Sequence, residues 1–177
     1  MAHKARGFES PSLRQGVHEA EPAVPVLCRD SQYSGELAWA VPLMSVDELQ
    51  DFLAQSFPGA PTPFVVCEAA NWGVRLRLPV TEAHERPGGT VSGPALMALA
   101  DCGAWLAIVA QIGPVALSVT TSLHIDFLRK PSMVDVEAEG RLLKLGRRLG
   151  VVDVTMRSVG SEDIVAKAQV TYSIPPR

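Results

Sequence analysis

Residues 93–112 read GPALMALADCGAWLAIVAQI, and this stretch decides the architecture. Between Gly93 and Gly113 only Asp101 and Gln111 are clearly polar. Ser92-Gly93-Pro94 is a helix-start pattern, with serine at the cap position and proline in the first turn, and Gly113-Pro114 is a stop. Apolar residues occupy every side of the predicted helix, so something must surround it. Its length nearly meets that of a membrane span. Yet the run is isolated, carries a carboxylate near its middle and is followed at once by alternating strands. Burial by the rest of the chain is therefore expected, with no membrane partner.

Working outward, four strand-like runs follow without another helix. Leu117, Val119, Thr121, Leu123, Ile125 and Phe127 alternate, as do Val134, Val136 and Ala138 with Asp135, Glu137 and Glu139. Lys144-Leu145-Gly146-Arg147 reads as a hairpin turn, Val152, Val154 and Met156 resume the alternation, Gly160-Ser161 turns again, and 164–174 closes the pattern. Before the long helix lies a loop over 82–91 containing Pro87-Gly88-Gly89. Ahead of it, strands over 64–70 and 74–80 are joined by Asn71-Trp72-Gly73, a short loop of the kind that closes a hairpin with a bulge. Ser45 and Glu48 form a capping-box pattern for an N-terminal helix carrying Val46, Leu49, Phe52 and Leu53, ended by Pro58-Gly59. Strands that alternate pair antiparallel with one wet face. An all-apolar helix requires that sheet to curl around it. The expected fold is α+β: an antiparallel sheet wrapped around a long central helix, with an N-terminal helix, which is the hotdog architecture.

The 177 residues suit one domain, with 47 % apolar and 20 % charged residues and a net charge of −3. Acids and bases are intermixed, and no basic cluster or nucleic-acid-binding motif is present, so no nucleic-acid partner is expected. Cys28, Cys67 and Cys102 are an odd, widely spaced set without metal-ligand spacing, and no apolar run follows Lys4 and Arg6, so a cytoplasmic location is expected. Residues 1–43 lack periodicity and read as a disordered extension of a domain spanning 44–177; Met44, just before the helix start, is an expected alternative initiation point. No Walker loop, dinucleotide fingerprint, serine-elbow or zinc motif occurs, so neither cofactor nor metal is expected.

The run Gly89-Thr90-Val91-Ser92-Gly93-Pro94-Ala95-Leu96-Met97-Ala98-Leu99-Ala100-Asp101 resembles the signature of the PaaI-like acyl-CoA thioesterases. In those proteins a Gly-x-x-His-Gly-Gly turn opens the central helix, and a Leu-Ala-Asp triplet places an acid nine positions after the histidine. Here Ser92 stands at the histidine position, Gly93 and Pro94 at the two glycines, and Asp101 at the acid with its spacing intact. The resemblance covers roughly 46–176, including Thr121–Pro131 (TSLHIDFLRKP). It implies hydrolysis of an acyl-CoA substrate, with Asp101 as base or nucleophile, the Gly93 N–H polarising the carbonyl, and sites at the interface of a homodimer or dimer of dimers. It also implies a hydroxyl near the acid, at Thr120 or Thr121. Relatives often carry asparagine where this chain has Arg86.

The residues support parts of this independently. An ionised carboxylate in an apolar helix is costly unless it is paired or meets a wet cavity, so Asp101 is either catalytic or tied into a structural hydrogen bond. The first N–H groups of a helix lack intrahelical partners and sit at the positive end of its dipole, which suits a developing oxyanion. Gly93 and Asp101 lie about 12 Å apart along a helix rising roughly 1.5 Å per residue, so one carbonyl cannot reach both in one chain. If both act on one thioester, they come from different subunits. Ser92 and Arg86 lie where they can contact substrate, Arg86 through a carboxylate or phosphate or else as a solvated loop residue. Arg129-Lys130 and the turn bearing Lys144, Arg147 and Arg148 either grip the phosphates of coenzyme A or are solvated. His124 is expected to point outward with no catalytic role. Two other functions remain open at this point: a hotdog hydratase or dehydratase, which needs a histidine with its carboxylate, and a non-catalytic acyl-CoA-binding module.

Overall fold

The computed structural model describes residues 42–57 and 64–176. All of the expected 1–43 extension except its last two residues, and the Pro58-Gly59 stop, lie outside these residues. Helix α1 (Val46–Ser56) starts as its sequence predicts: the Glu48 N–H donates to Ser45 Oγ, and Ser45 N–H donates to the Glu48 carboxylate at 2.8 Å. That pairing holds the Glu48 carboxyl below its usual range. Leu49 and Leu53 are buried, and Phe52 packs on Trp105 with ring centroids 5.2 Å apart.

Six strands form one antiparallel sheet: β1 (Val65–Ala70), β2 (Gly73–Leu78), β5 (Val119–Phe127), β6 (Val136–Leu145), β7 (Leu149–Ser158) and β8 (Ile164–Ser173), in the order β1-β2-β6-β7-β8-β5. Helix α2 (Gly93–Ile112) lies against the inner face, where Leu76, Val136, Val152, Val154, Met156 and Val170 are wholly or almost wholly inaccessible. Leu99, Ala100, Ala104, Leu106 and Ile108 face them from the helix. The two backbones meet closely at Gly140, where an added Cβ would sit 3.1 Å from the Gly103 carbonyl. Helix α2 is long and apolar enough to cross a bilayer, but 67 % of its apolar window is buried inside the protein, and that burial accounts for the composition. The outer face is polar, with Arg77 paired to Glu137 at 2.6 Å, Arg75 paired to Glu68, and Lys167 paired to Asp153 at 3.3 Å.

Three local features differ from the expectation. The 82–91 loop is ordered into a turn of 3-10 helix (Glu82–His84) and a two-stranded ribbon, β3 (Glu85–Arg86) with β4 (Thr90–Val91). The β1–β2 loop is the dipeptide Asn71-Trp72, with Trp72 at φ 63, and the bulge lies instead within β1 between Val66 and Glu68. The alternation of β5 slips by one residue, because a bulge falls between Thr120 and Ser122.

The two edges of the sheet are treated differently. Along β1, the Gln50 amide of α1 donates to the Phe64 carbonyl at 3.2 Å and accepts from the Val66 N–H at 2.8 Å, so α1 screens that edge. Strand β5 is mostly exposed. Beside it, Pro94, Met97 and Ala98 leave an uncovered apolar stripe on α2 that ends at Asp101.

Candidate active site

Asp101 sits in the third turn of α2, half-buried, where β5 and β8 begin and end their pairing. Thr120 Oγ1 donates to Asp101 Oδ1 at 2.7 Å, and the Tyr172 hydroxyl lies 2.8 Å from the same oxygen. The Tyr172 hydroxyl also reaches the Asp101 main-chain carbonyl at 3.1 Å. Thr120 and Tyr172 are direct cross-strand partners. Oδ2 has no hydrogen-bond partner among the described residues, and it is not among the buried unsatisfied atoms, so it keeps contact with solvent. Burial pushes the Tyr172 phenol well above its usual range; the Thr120 hydroxyl pulls the other way, and the Asp101 charge adds to the rise. Tyr172 therefore remains a donor at any working pH. Next to the site, burial and then the Asp101 charge push the Cys102 thiol up to about 12.

The bulge resolves the two threonines. With the extra residue at Thr121, Thr120 turns toward Asp101, while Thr121 Oγ1 donates to the Thr171 carbonyl at 3.1 Å. His124 points outward as expected and lies 3.5 Å from Asp126.

The start of α2 forms a second centre. Ser92 occupies the cap position, but its hydroxyl makes no capping bond, contrary to the sequence reading; its N–H is held instead by the His84 carbonyl at 2.8 Å. The N–H groups of Gly93 and Ala95 have no partner among the described residues, and Pro94 between them has none to offer. Gly93 lines a pocket of about 420 Å³ with Arg86, Leu96, Phe127, Arg129 and Lys130. A Cβ at Gly93 would meet the Phe127 ring at 3.4 Å, an ordinary contact. Arg86 Nε donates to Thr90 Oγ1 at 2.9 Å across the β3–β4 ribbon. Arg129 donates to the Ile164 carbonyl at 3.0 Å and lies 3.5 Å from Asp163.

A sequence profile of the thioesterase superfamily matches residues 88–165. A Pseudomonas aeruginosa protein named "Putative esterase" is 31 % identical over 114 residues, covering 64 % of this chain and 84 % of that protein. The crystal structure of a "putative thioesterase" from Silicibacter sp. TM1040 superposes with a TM-score of 0.71 at 43 % identity, covering 76 % of this chain and 94 % of that one. The chain belongs to the thioesterase superfamily. A variant of the phenylacetic acid degradation protein PaaI from Thermus thermophilus is also similar, with 28 % identity, a TM-score of 0.56, and coverage of 63 % of this chain and 93 % of that one.

Within this thioesterase the predicted residues fall into two groups. Asp101 and Thr120 stand together, joined by Tyr172, which sequence reasoning missed. Gly93, Arg86, Arg129 and Lys130 share the pocket at the other centre, with Ser92 immediately beside Gly93. Thr121 belongs to neither. Arg147 and Arg148 lie outside the pocket, in the β6–β7 turn; the Ile174 N–H donates to the Arg148 carbonyl, which places that turn at the Asp101 end of the sheet. The signal for Tyr172 was its hydroxyl on the inward side of β8 after Ala166, Ala168 and Val170, where a buried phenol needs a partner.

Proposed function

We propose that this thioesterase hydrolyses acyl-CoA thioesters to free acid and coenzyme A, at sites completed by two subunits. The observation that carries this reading is the half-clamped Asp101 carboxylate: two donors converge on Oδ1 and leave Oδ2 open. The free Gly93 N–H at the helix start is the complementary electrophilic group. Eight residues of α2 separate the two, about 12 Å of helix, so one substrate is served by Asp101 of one subunit and Gly93 of the other.

The β5 edge supplies a way to bring them together. Thr120, bonded to Asp101, and Phe127, against Gly93, lie near opposite ends of β5, about 23 Å apart at roughly 3.3 Å per residue. Antiparallel pairing of two copies of β5 about a two-fold axis between them sets Thr120 of each copy near Phe127 of the other. The Gly93 N–H then polarises the thioester carbonyl. Asp101 Oδ2 takes a proton from water as the water oxygen bonds to the carbonyl carbon, or attacks that carbon itself to give an anhydride that water then opens. In either route the C–S bond breaks and coenzyme A leaves as its thiolate, which is then protonated. Arg129 and Lys130 of one subunit and the Arg147-Arg148 turn of the other flank such a site and supply positive charge for the coenzyme phosphates. Arg86, in the same pocket, adds a further positive charge for a carboxylate or phosphate of the substrate, and Ser92 adjoins Gly93 there.

Thiol release from a panel of acyl-CoAs, comparing the wild type with Asp101→Asn, tests this function. The asparagine is nearly isosteric but is neither base nor nucleophile, so a loss of about a hundredfold or more is expected. Equal hydrolysis by the variant would exclude Asp101 as the catalytic carboxylate.

A further inference from the structure

We infer that Tyr172 is a positioning residue which, with Thr120, fixes the Asp101 carboxylate so that Oδ2 is the oxygen that reacts. The inference rests on the hydrolytic reading above and adds to it the choice of oxygen. The Tyr172 hydroxyl touches both the main-chain carbonyl of Asp101 (3.1 Å) and its Oδ1 (2.8 Å), so the phenol ties the carboxylate to its own helix backbone. Thr120 Oγ1 binds the same Oδ1 from β5 at 2.7 Å. Two donors on one oxygen occupy its lone pairs and hold negative charge there, which leaves the unengaged Oδ2 as the oxygen free to accept a proton or to attack. The arrangement is built into the sheet. Thr120 and Tyr172 face each other across β5 and β8, and the bulge after Thr120 turns that residue, rather than Thr121, toward the helix. Tyr172 is buried, whereas Asp101 is half-buried, so the phenol acts from behind the carboxylate and leaves its free oxygen on the solvent side. Cys102 is the titratable neighbour, and its neutral thiol adds no charge to the site.

The step it organises is proton transfer from water to Oδ2 with attack on the thioester carbon, or direct attack by Oδ2. In both cases the sulfur leaves with the C–S electron pair. Without the clamp the carboxylate rotates, and it attacks from the productive angle for a smaller share of the time. The effect belongs in kcat and leaves substrate binding alone.

The test is thiol release by Tyr172→Phe in the full-length protein, with kcat and KM measured on the substrate that the wild type hydrolyses fastest, and the thermal midpoint beside them. The expected result is a fall in kcat of about ten- to a hundredfold, the usual effect of losing a hydrogen bond to a charged group, with KM unchanged. A purely structural tyrosine would lower the thermal midpoint and leave kcat unmoved, and that result would overturn the inference. If Tyr172→Phe does not fold, the pair Thr120→Val and Thr120→Ser decides. The valine is expected to lower kcat in the same way with KM unchanged, and the serine, which keeps the hydroxyl, to restore most of the rate. A valine variant with the wild-type kcat would overturn it. Asp101→Asn separates the two levels. Full activity in Asp101→Asn removes Asp101 as the catalytic carboxylate, and the clamp with it, whereas an inactive Asp101→Asn beside unaltered Tyr172→Phe and Thr120→Val removes only the clamp.

Discussion

If Asp101 and Gly93 of different subunits serve one substrate, two dead variants restore each other in a mixed dimer. Asp101→Asn removes the base. Gly93→Pro removes the donor: residue 93 is the first helical position, where proline is accepted, and Ser92 before it already has the extended backbone (φ −73, ψ 150) that proline requires. The ring would press on Phe127, but that side chain is 52 % exposed and has room to move. Losing one oxyanion donor costs about 10²- to 10³-fold in kcat, and losing the base costs a similar factor, so each homodimer should retain no more than about 1 % of wild-type activity. In the heterodimer one site carries both substitutions and the other carries neither. Co-expression with two different tags, tandem affinity purification and a thiol-release assay should then show about half of the wild-type rate. A carbonyl bound at about 3 Å by both groups requires them to lie within about 6 Å, and about 12 Å of helix separates them within one chain. A heterodimer no more active than the mean of its two parents would refute the shared site.

Two further outcomes follow from particular contacts. Gln50→Ala removes both bonds that screen β1 and should lower stability by about 1–2 kcal/mol in urea titrations with kcat unchanged; an unaltered midpoint would show that the amide contributes nothing. Cys102, with its thiol pushed up to about 12, should be alkylated by iodoacetamide at pH 8.5 far more slowly in the folded protein than after unfolding, as read from the mass of its peptide. The sign for stability follows from proton binding: the unfolded thiol ionises near 9 and the folded one does not, so this group draws the equilibrium toward the unfolded state as pH rises from about 9 toward 12. Equal alkylation rates in the two states would contradict the burial that causes the shift.

The parts of the molecule legible in the sequence are those whose signal lies within one element. Helix α2 declares itself because no face of it is polar, and Asp101 because it interrupts that composition. The capping box at Ser45 and Glu48 is a three-residue pattern, and it forms as written. The strands β3 and β4 span two residues each, too few to show a period, and so they read as loop. Thr120 and Thr121 could not be separated, because the bulge that chooses between them depends on pairing with β8. Tyr172 lies 71 residues from Asp101 in sequence, and only the folded sheet reveals their contact. The Ser92 hydroxyl had a good local motif, yet the backbone there is held from outside by the His84 carbonyl. The gathering of Arg86, Arg129 and Lys130 around Gly93 is likewise a product of the closed fold, since the ribbon meets the segment after β5 across a bridge between Thr90 and Ser132, far apart in sequence.

The unequal edges of the sheet bear on how large an assembly can grow. A sheet with two open edges is a monomer for polymerisation: each added copy presents a fresh edge, and the product is a filament. Here one terminus of the series is blocked by the Gln50 amide. Two-fold pairing through β5 would consume the remaining open edge of both copies at once, so edge-to-edge growth would stop at the first step. The side chain that screens β1 acts, in effect, as a chain terminator.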